Sequence, residues 1–265
     1  MRPQVVAHRG ASHEIAEHTL GAYLQALDAG AGALECDVRL TADGHLVCVH
    51  DRDLRRTSGN RGLVSTMDLA ELNDLDFSSW KNPWADLDDE APDRDEELGK
   101  VLTLRKLLET VADYERPVEV AIETKHPTRF GGLVEKRLVE MLHEFGWETP
   151  GSPARVMSFS FTALQRVERL APDVERVQLI DKPALWPMLR RAISRDTIMG
   201  PGINLLRDHP RVVESMGRRD RPVHVWTVNT ESDLELCLAM GVRAVITDRP
   251  AYVLDLLDQR GEVAG

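Results

Sequence analysis

Cysteine is scarce, long apolar runs are absent and basic residues are in deficit, and each shortage removes a class of protein. The 265 residues include three cysteines, Cys36, Cys48 and Cys237. An odd number without C-x-x-C spacing argues against a disulfide framework or a zinc knuckle and fits a reducing compartment. Cys36 stands between Glu35 and Asp37, so strand alternation sends it to the opposite face as a buried thiol. No stretch approaches the roughly 18 apolar residues of a membrane span, and stable membrane insertion is not expected. Met1-Arg2-Pro3-Gln4 leads straight into strand-like sequence without room for a secretory leader, so the expected location is cytoplasmic. A net charge of -11 disfavours nucleic acid and anionic membrane as main partners, because both are bound through clustered Lys and Arg.

What is present is an alternation of strand-like and helix-like segments over most of the chain, the pattern of repeated βα units over a parallel sheet. The length suits one α/β barrel, since such domains routinely reach about 250 residues. Strands are expected at 5–10, 33–38, 46–51, 118–125, 155–160, 175–180, 223–228 and 243–248, and 202–206 is a further strand-like segment that periodicity leaves open. Thr19 can cap a helix that ends near Gly30, and a second helix runs from about 131 to 145. Capping boxes start at Thr162 and Thr230, with Gly241 placed to end the latter helix. The expected fold is a single (β/α)8 TIM barrel over 1–265, with an insertion at about 55–100 after the third strand. Within it, Ala85 to Glu97 holds eight acids and one arginine and reads as an exposed loop. The insertion is expected either to wall or cover the site, or to be solvated without a role.

Several strands stop on reactive side chains, as barrel strands do at the rim that carries an active site. Glu35 and Asp37 share one strand face while Leu34, Cys36 and Val38 share the other. Two buried neighbouring acids repel, so either a cation or Lys and Arg partners must compensate them. All-oxygen ligands favour Mg²⁺ or Ca²⁺ over zinc. Glu123 and Lys125 end the 118–125 strand within reach of the same rim; Glu123 is a candidate third ligand and Lys125 a phosphate contact, or the two form a structural ion pair. Glu119 lies deeper and has no assigned role. His8 and His50 end the first and third strands, on either side of the acids, where two imidazoles can serve as general base and acid near neutral pH. The remaining histidines, His18 and His224 among them, show no such placement. Arg9, Lys125 and a bound cation would supply the local positive charge that a phosphate needs.

The ordered set His8-Arg9-Gly10, Glu17 and Thr19, Glu35-x-Asp37-Val38, Thr41-x-Asp43-Gly44, His50-Asp51, Arg56-Thr57, Glu123-x-Lys125, Ser158-Phe159, Trp226-Thr227-x-Asn229 and Thr247-Asp248-x-Pro250 resembles the glycerophosphodiester phosphodiesterase family and covers nearly the whole chain. The resemblance implies a (β/α)8 barrel, one divalent cation on Glu35, Asp37 and Glu123, and His8 and His50 as the acid/base pair. It also implies Arg9 and Lys125 on phosphate, Trp226 in the site wall and Glu17 in support. The implied substrate is a small glycerophosphodiester, cleaved to glycerol 3-phosphate and an alcohol; no oligomeric state is implied. Ala16 and His18 stand where the family's Pro-Glu-Asn-Thr segment has Pro and Asn, which changes that loop's shape. The alternatives are a phosphodiester-binding barrel without turnover and another barrel metallohydrolase. The first requires loss of a catalytic group, yet both histidines and all three acids are present. The second usually shows H-x-H on its first strand, which V-A-H-R-G lacks.

Overall fold

The computed structural model describes residues 2–82, 84, 96–218 and 220–263. Its strands are β1 (Gln4–His8), β2 (Ala33–Leu40), β3 (Leu46–Cys48), β4 (Glu119–Thr124), β5 (Ala154–Ser158), β6 (Glu175–Ile180), β7 (Ile198–Pro201), β8 (His224–Val225) and β9 (Ala244–Thr247). Eight of them are parallel, in the order β7-β6-β5-β4-β2-β1-β9-β8. Bridges from Met199 to Val223 and from Gly202 to Trp226 bring β7 back to β8, so the sheet closes into a barrel. Helices between successive strands cover its outside.

β3 departs from the expected parallel arrangement. It pairs antiparallel with β2, Val38 opposite Cys48 and Leu40 opposite Leu46, and stands outside the barrel path. The reason is the Thr41–His45 turn. The Thr41 N–H donates to the His45 carbonyl, the His45 N–H donates to the Thr41 hydroxyl, and Gly44 takes φ +91, a conformation without steric cost only for glycine. His50 therefore reaches the rim on a hairpin arm, and β4 is the barrel's third strand. The segment 202–206, which periodicity left open, is not a strand: the strand is Ile198–Pro201, and Ile203–Asp208 is a helix burying Ile203, Leu205 and Leu206. The helix assigned to a Thr162 cap begins two residues earlier, as Phe161–Leu170, because Ser160 is extended and accepts from the Ala163 N–H. Thr19 and Thr230 cap as expected, and Gly241 closes its helix in the left-handed conformation.

Alternation along the strands separates two environments. Leu34, Cys36, Val38, Val120 and Ile122 face outward into the layer under the helices. Inward, Val6, Ala33, Ala121, Met157, Val177, Ile198 and Ile246 fill the barrel. Glu119, which had no assigned role, closes the lower end: Arg155, 1% exposed, donates to it at 2.5 Å and to Gln4 at 2.8 Å. The 55–100 insertion has a small core of its own, in which Val64, Leu72 and Phe77 pack on Val47, Val49 and Leu54 of the hairpin arm. Most of the acidic stretch expected as an exposed loop, 85–95, lies outside the described residues.

Candidate active site

The strand register assembles the acids. Parallel pairing sets Glu35 of β2 beside His8 of β1, and Asp37 beside Glu123 of β4. Glu35, Asp37 and Glu123 are all buried, and each offers a carboxylate oxygen within 4.8 Å of the other two. Burial and the neighbouring Asp37 charge push Glu35 well above the usual carboxylate range and Glu123 up to about 8. Asp37 goes the other way. Burial pushes it upward, but Arg9, a hydrogen bond from His18 and Lys125 outweigh that and hold it well below the usual range.

Cations crowd that one residue. Arg9 Nε lies 2.9 Å from Asp37 Oδ2 and Lys125 Nζ 3.2 Å from Oδ1, with Lys125 also 2.9 Å from Glu123. The Arg9 backbone N–H donates to the Glu35 carboxylate at 3.2 Å, which its left-handed φ of 59° makes geometrically accessible. Gly10 follows at φ +85, where a β-carbon would meet the Ala22 backbone at 2.6 Å. His18, set aside on sequence grounds, lies inside the site. Its Nε2 is 2.9 Å from Asp37 Oδ2 and its Nδ1 2.8 Å from the Tyr23 hydroxyl. Burial pushes the ring's pKa down, favouring the neutral form that donates from one nitrogen and accepts at the other. The sequence signal was its place before the Thr19 cap, where His18 takes φ 61° as an Asn readily would.

Both predicted histidines reach the same cavity, about 570 Å³ including its mouth, lined also by Arg9, Glu35, Glu123 and Lys125. Each has its Nδ1 taken by a carboxylate. His8 Nδ1 is 2.6 Å from Asp248 Oδ1, and His50 Nδ1 is 2.7 Å from Asp51 Oδ1. These partners held no site role in the sequence reading, although Asp248 directly follows β9 and Asp51 directly follows His50. Asp248 also accepts from Ser12 and Asn229; burial would raise it, but His8 and these hydrogen bonds bring it down to about 2. His8 Nε2 then faces inward, 3.9 Å from Glu35. His50 is lowered by burial first and by Arg9 and Lys125 after it.

The rim is braced by a chain of ion pairs. Arg56 binds Asp51 through Nε at 2.7 Å and grips both oxygens of Glu17 at 2.7 Å. Glu17 also accepts from Arg9 at 3.1 Å, and although burial alone would raise it, these cations hold it near 2. Opposite the acids, Trp226 stands in the wall with Met157, Leu179, Ile246 and Phe159, whose ring meets the Trp226 indole edge-on at 5.4 Å. The Trp226 indole N–H donates to the Gly200 carbonyl, fixing the ring.

The residues fit a divalent cation. All three donors are oxygens, and Asp37 Oδ1 is buried and accepts no hydrogen bond, Lys125 standing beside it outside hydrogen-bond geometry. Three carboxylates against Arg9 and Lys125 leave one negative charge. A divalent cation turns this into one positive charge, the complement of a phosphodiester monoanion.

Comparison with known proteins identifies the family. The model of the glycerophosphoryl diester phosphodiesterase family matches residues 8–252. A Mycobacterium tuberculosis protein named as a probable glycerophosphodiester phosphodiesterase is 44% identical over 252 residues, covering 94% of this chain and 90% of its own. A Bacillus subtilis glycerophosphodiester phosphodiesterase is 30% identical over 252 residues, covering 92% and 83%. Among solved structures, an Oleispira antarctica phosphodiesterase in complex with the product sn-glycerol-3-phosphate superposes with a TM-score of 0.79 at 26% identity, covering 97% of each chain. A Thermotoga maritima glycerophosphodiester phosphodiesterase shares the fold, with a TM-score of 0.74 at 22% identity over 97% of this chain and 99% of that one. By the match of its motifs, its barrel and nearly its whole length, the chain belongs to the glycerophosphoryl diester phosphodiesterase family.

Proposed function

We propose that this enzyme hydrolyses small glycerophosphodiesters to glycerol 3-phosphate and an alcohol, with one divalent cation, Mg²⁺ or Ca²⁺, and with His8 and His50 as the acid/base pair. The observation that carries this reading is the convergence of both imidazoles with Glu35 and Glu123 on one cavity, Asp37 completing the acid cluster behind it. Glu35, Asp37 and Glu123 would hold the cation, which when bound neutralises charge on the phosphate and orients the attacking hydroxyl. Arg9 and Lys125 would contact the phosphate oxygens. The family name carried by the relatives supports the substrate class.

In this reading the two histidines, each with its Nδ1 beside a carboxylate, divide the proton transfers. With Asp248 accepting the Nδ1 hydrogen, His8 presents an unprotonated Nε2 and acts as base, taking the proton of the glycerol hydroxyl next to the esterified carbon. That oxygen bonds to phosphorus and the bond to the alcohol breaks, the departing oxygen taking its proton from His50. The cyclic phosphate so formed is opened by water with the proton roles reversed. Trp226 and Phe159 would pack on the carbon skeleton. The place of action is the cytoplasm and the role lies in lipid and glycerol metabolism; the three free, buried cysteines support a reducing compartment. Among the described residues, no helix is long and apolar enough to cross a membrane.

The test is glycerol 3-phosphate release from diesters with choline, ethanolamine, glycerol and inositol head groups, with and without chelator, in wild type, His8→Ala and His50→Ala. The expected result is turnover by wild type that is lost with chelator and with either substitution. Turnover that survives chelation, or both substitutions, removes the mechanism.

A further inference from the structure

His8 ends a barrel strand, whereas His50 stands past the end of the hairpin arm. β3 pairs with β2 as far as Cys48, and the backbone bond that follows runs from the Val49 N–H to the Asp37 carbonyl at 3.0 Å. Beyond it the sheet no longer fixes the chain, and the partner of the His50 carbonyl is a side chain. Arg39 donates to that one oxygen twice, through Nε at 2.9 Å and Nη2 at 2.7 Å. It lies on β2 two residues after Asp37, so alternation turns it to the same face as Glu35 and Asp37. Two donors in the fixed fork of a guanidinium set the direction of the contact as well as its length. Among the described residues no carboxylate lies within ion-pair distance of Arg39, so the side chain does not serve to neutralise an acid. At its other end His50 is held by Asp51, which Arg56 holds in turn. His50 is thus fixed twice, by its carbonyl to the strand that carries Glu35 and Asp37 and by its ring to the ion pairs of the rim.

We propose that Arg39 is a positioning residue for proton donation: by tying the His50 backbone to β2 it sets the reach of the His50 ring towards the departing oxygen. The inference rests on the reading of His50 as the acid of the phosphodiesterase. A donor must come within hydrogen-bond reach of the atom it protonates, and a misplacement of about 1 Å costs about 100-fold. With the ring still held by Asp51, loss of the carbonyl contact alone is worth about tenfold.

The experiment measures single-turnover release of the leaving group, with enzyme in excess, from glycerophosphoglycerol and from the p-nitrophenyl ester of glycerol 3-phosphate. The enzymes are cation-loaded wild type, Arg39→Met, His50→Ala and the double variant. A departing glycerol oxygen needs a proton and p-nitrophenolate does not, so only the first diester reads the proton donor. Arg39→Met is expected to slow glycerol release about tenfold or more at saturating enzyme, and to leave p-nitrophenolate release within about threefold of wild type. The enzyme concentration at half-maximal rate should also stay within about threefold, because the contact bears on the reaction and not on substrate binding. In the His50→Ala background, whose residual release is followed over hours, Arg39→Met should slow glycerol release by less than about twofold, since it acts through that residue. Arg39→Lys keeps the aliphatic stem and the charge without the fork; it should show the same selective loss at smaller size, and it carries the test if Arg39→Met does not fold. Unchanged glycerol release, equal slowing of the two diesters, or slowing that persists in full without His50 overturns the proposal. If His50→Ala itself slows both diesters alike, the assignment of His50 as acid fails instead, and the double variant still decides whether Arg39 acts through His50.

Discussion

Cation binding should expel protons from this protein, and Glu123 sets the scale. Burial and the neighbouring Asp37 raise its carboxyl to about 8 from an ordinary 4.5, so at pH 7 about nine molecules in ten carry its proton when no cation is bound. A cation ligand must be ionised, and binding at pH 7 should therefore release about 0.9 proton from Glu123, with a further contribution from Glu35, which is shifted the same way. Two consequences follow with fixed sign. Below pH 8 protons compete with the cation, so the Glu123 share alone should raise its affinity about ninefold from pH 6 to 7 and about fivefold from pH 7 to 8, with Glu35 adding to the rise. In the cation-free protein, Glu123 binds its proton more tightly folded than unfolded, so its contribution to stability is full below about 4.5 and is lost as pH rises towards 8. Added Mg²⁺ should restore stability most strongly at the upper end of that window. Calorimetry in two buffers of different ionisation enthalpy gives the proton count, and Glu123→Gln should lower it by about the Glu123 share. A cation enthalpy that is independent of buffer at pH 7, or an affinity flat from pH 6 to 8, would refute the reasoning.

Asp248→Asn replaces the acceptor of the His8 Nδ1 hydrogen and disfavours the tautomer needed for proton abstraction; steady-state kinetics should show kcat reduced about 100-fold or more, with cation affinity within about twofold of wild type. Gly10→Ala drives a β-carbon into the Ala22 backbone at 2.6 Å with φ at +85°, and urea unfolding should report a loss of about 2–4 kcal/mol. His18→Ala removes the ring donor from Asp37 and should weaken cation binding about tenfold, whereas His18→Asn, suited to the left-handed backbone and still able to donate, should stay within about threefold of wild type by the same calorimetry.

The barrel strands that carry the chemistry were readable because they are long and sharply patterned. The alternation in Ala33–Leu40 and Glu119–Thr124 separates acids from apolar side chains, and parallel register then brings the acids together without further information. Short elements escaped. β7 has four residues ending in Gly200 and Pro201, too few for periodicity to show. The antiparallel course of β3 was marked by Asp43-Gly44 between two apolar runs, a hairpin signal that the strand count overrode. Asp248 and Arg56 entered the motif pattern, but their pairing with His8 and Glu17 is a matter of tertiary distance; for His8 and Asp248 the partners are 240 residues apart. His18 illustrates the same point: its pairing with Asp37 follows from a left-handed backbone turn that residue type alone does not disclose.

The most direct measurement is anomalous diffraction from crystals soaked in Mn²⁺, used as a scattering substitute for the cation. The account predicts one peak lined by oxygens of Glu35, Asp37 and Glu123 at about 2.0–2.6 Å, in the cavity that His8 and His50 share. A peak bound elsewhere, or none at this cluster under saturating Mn²⁺, would contradict it.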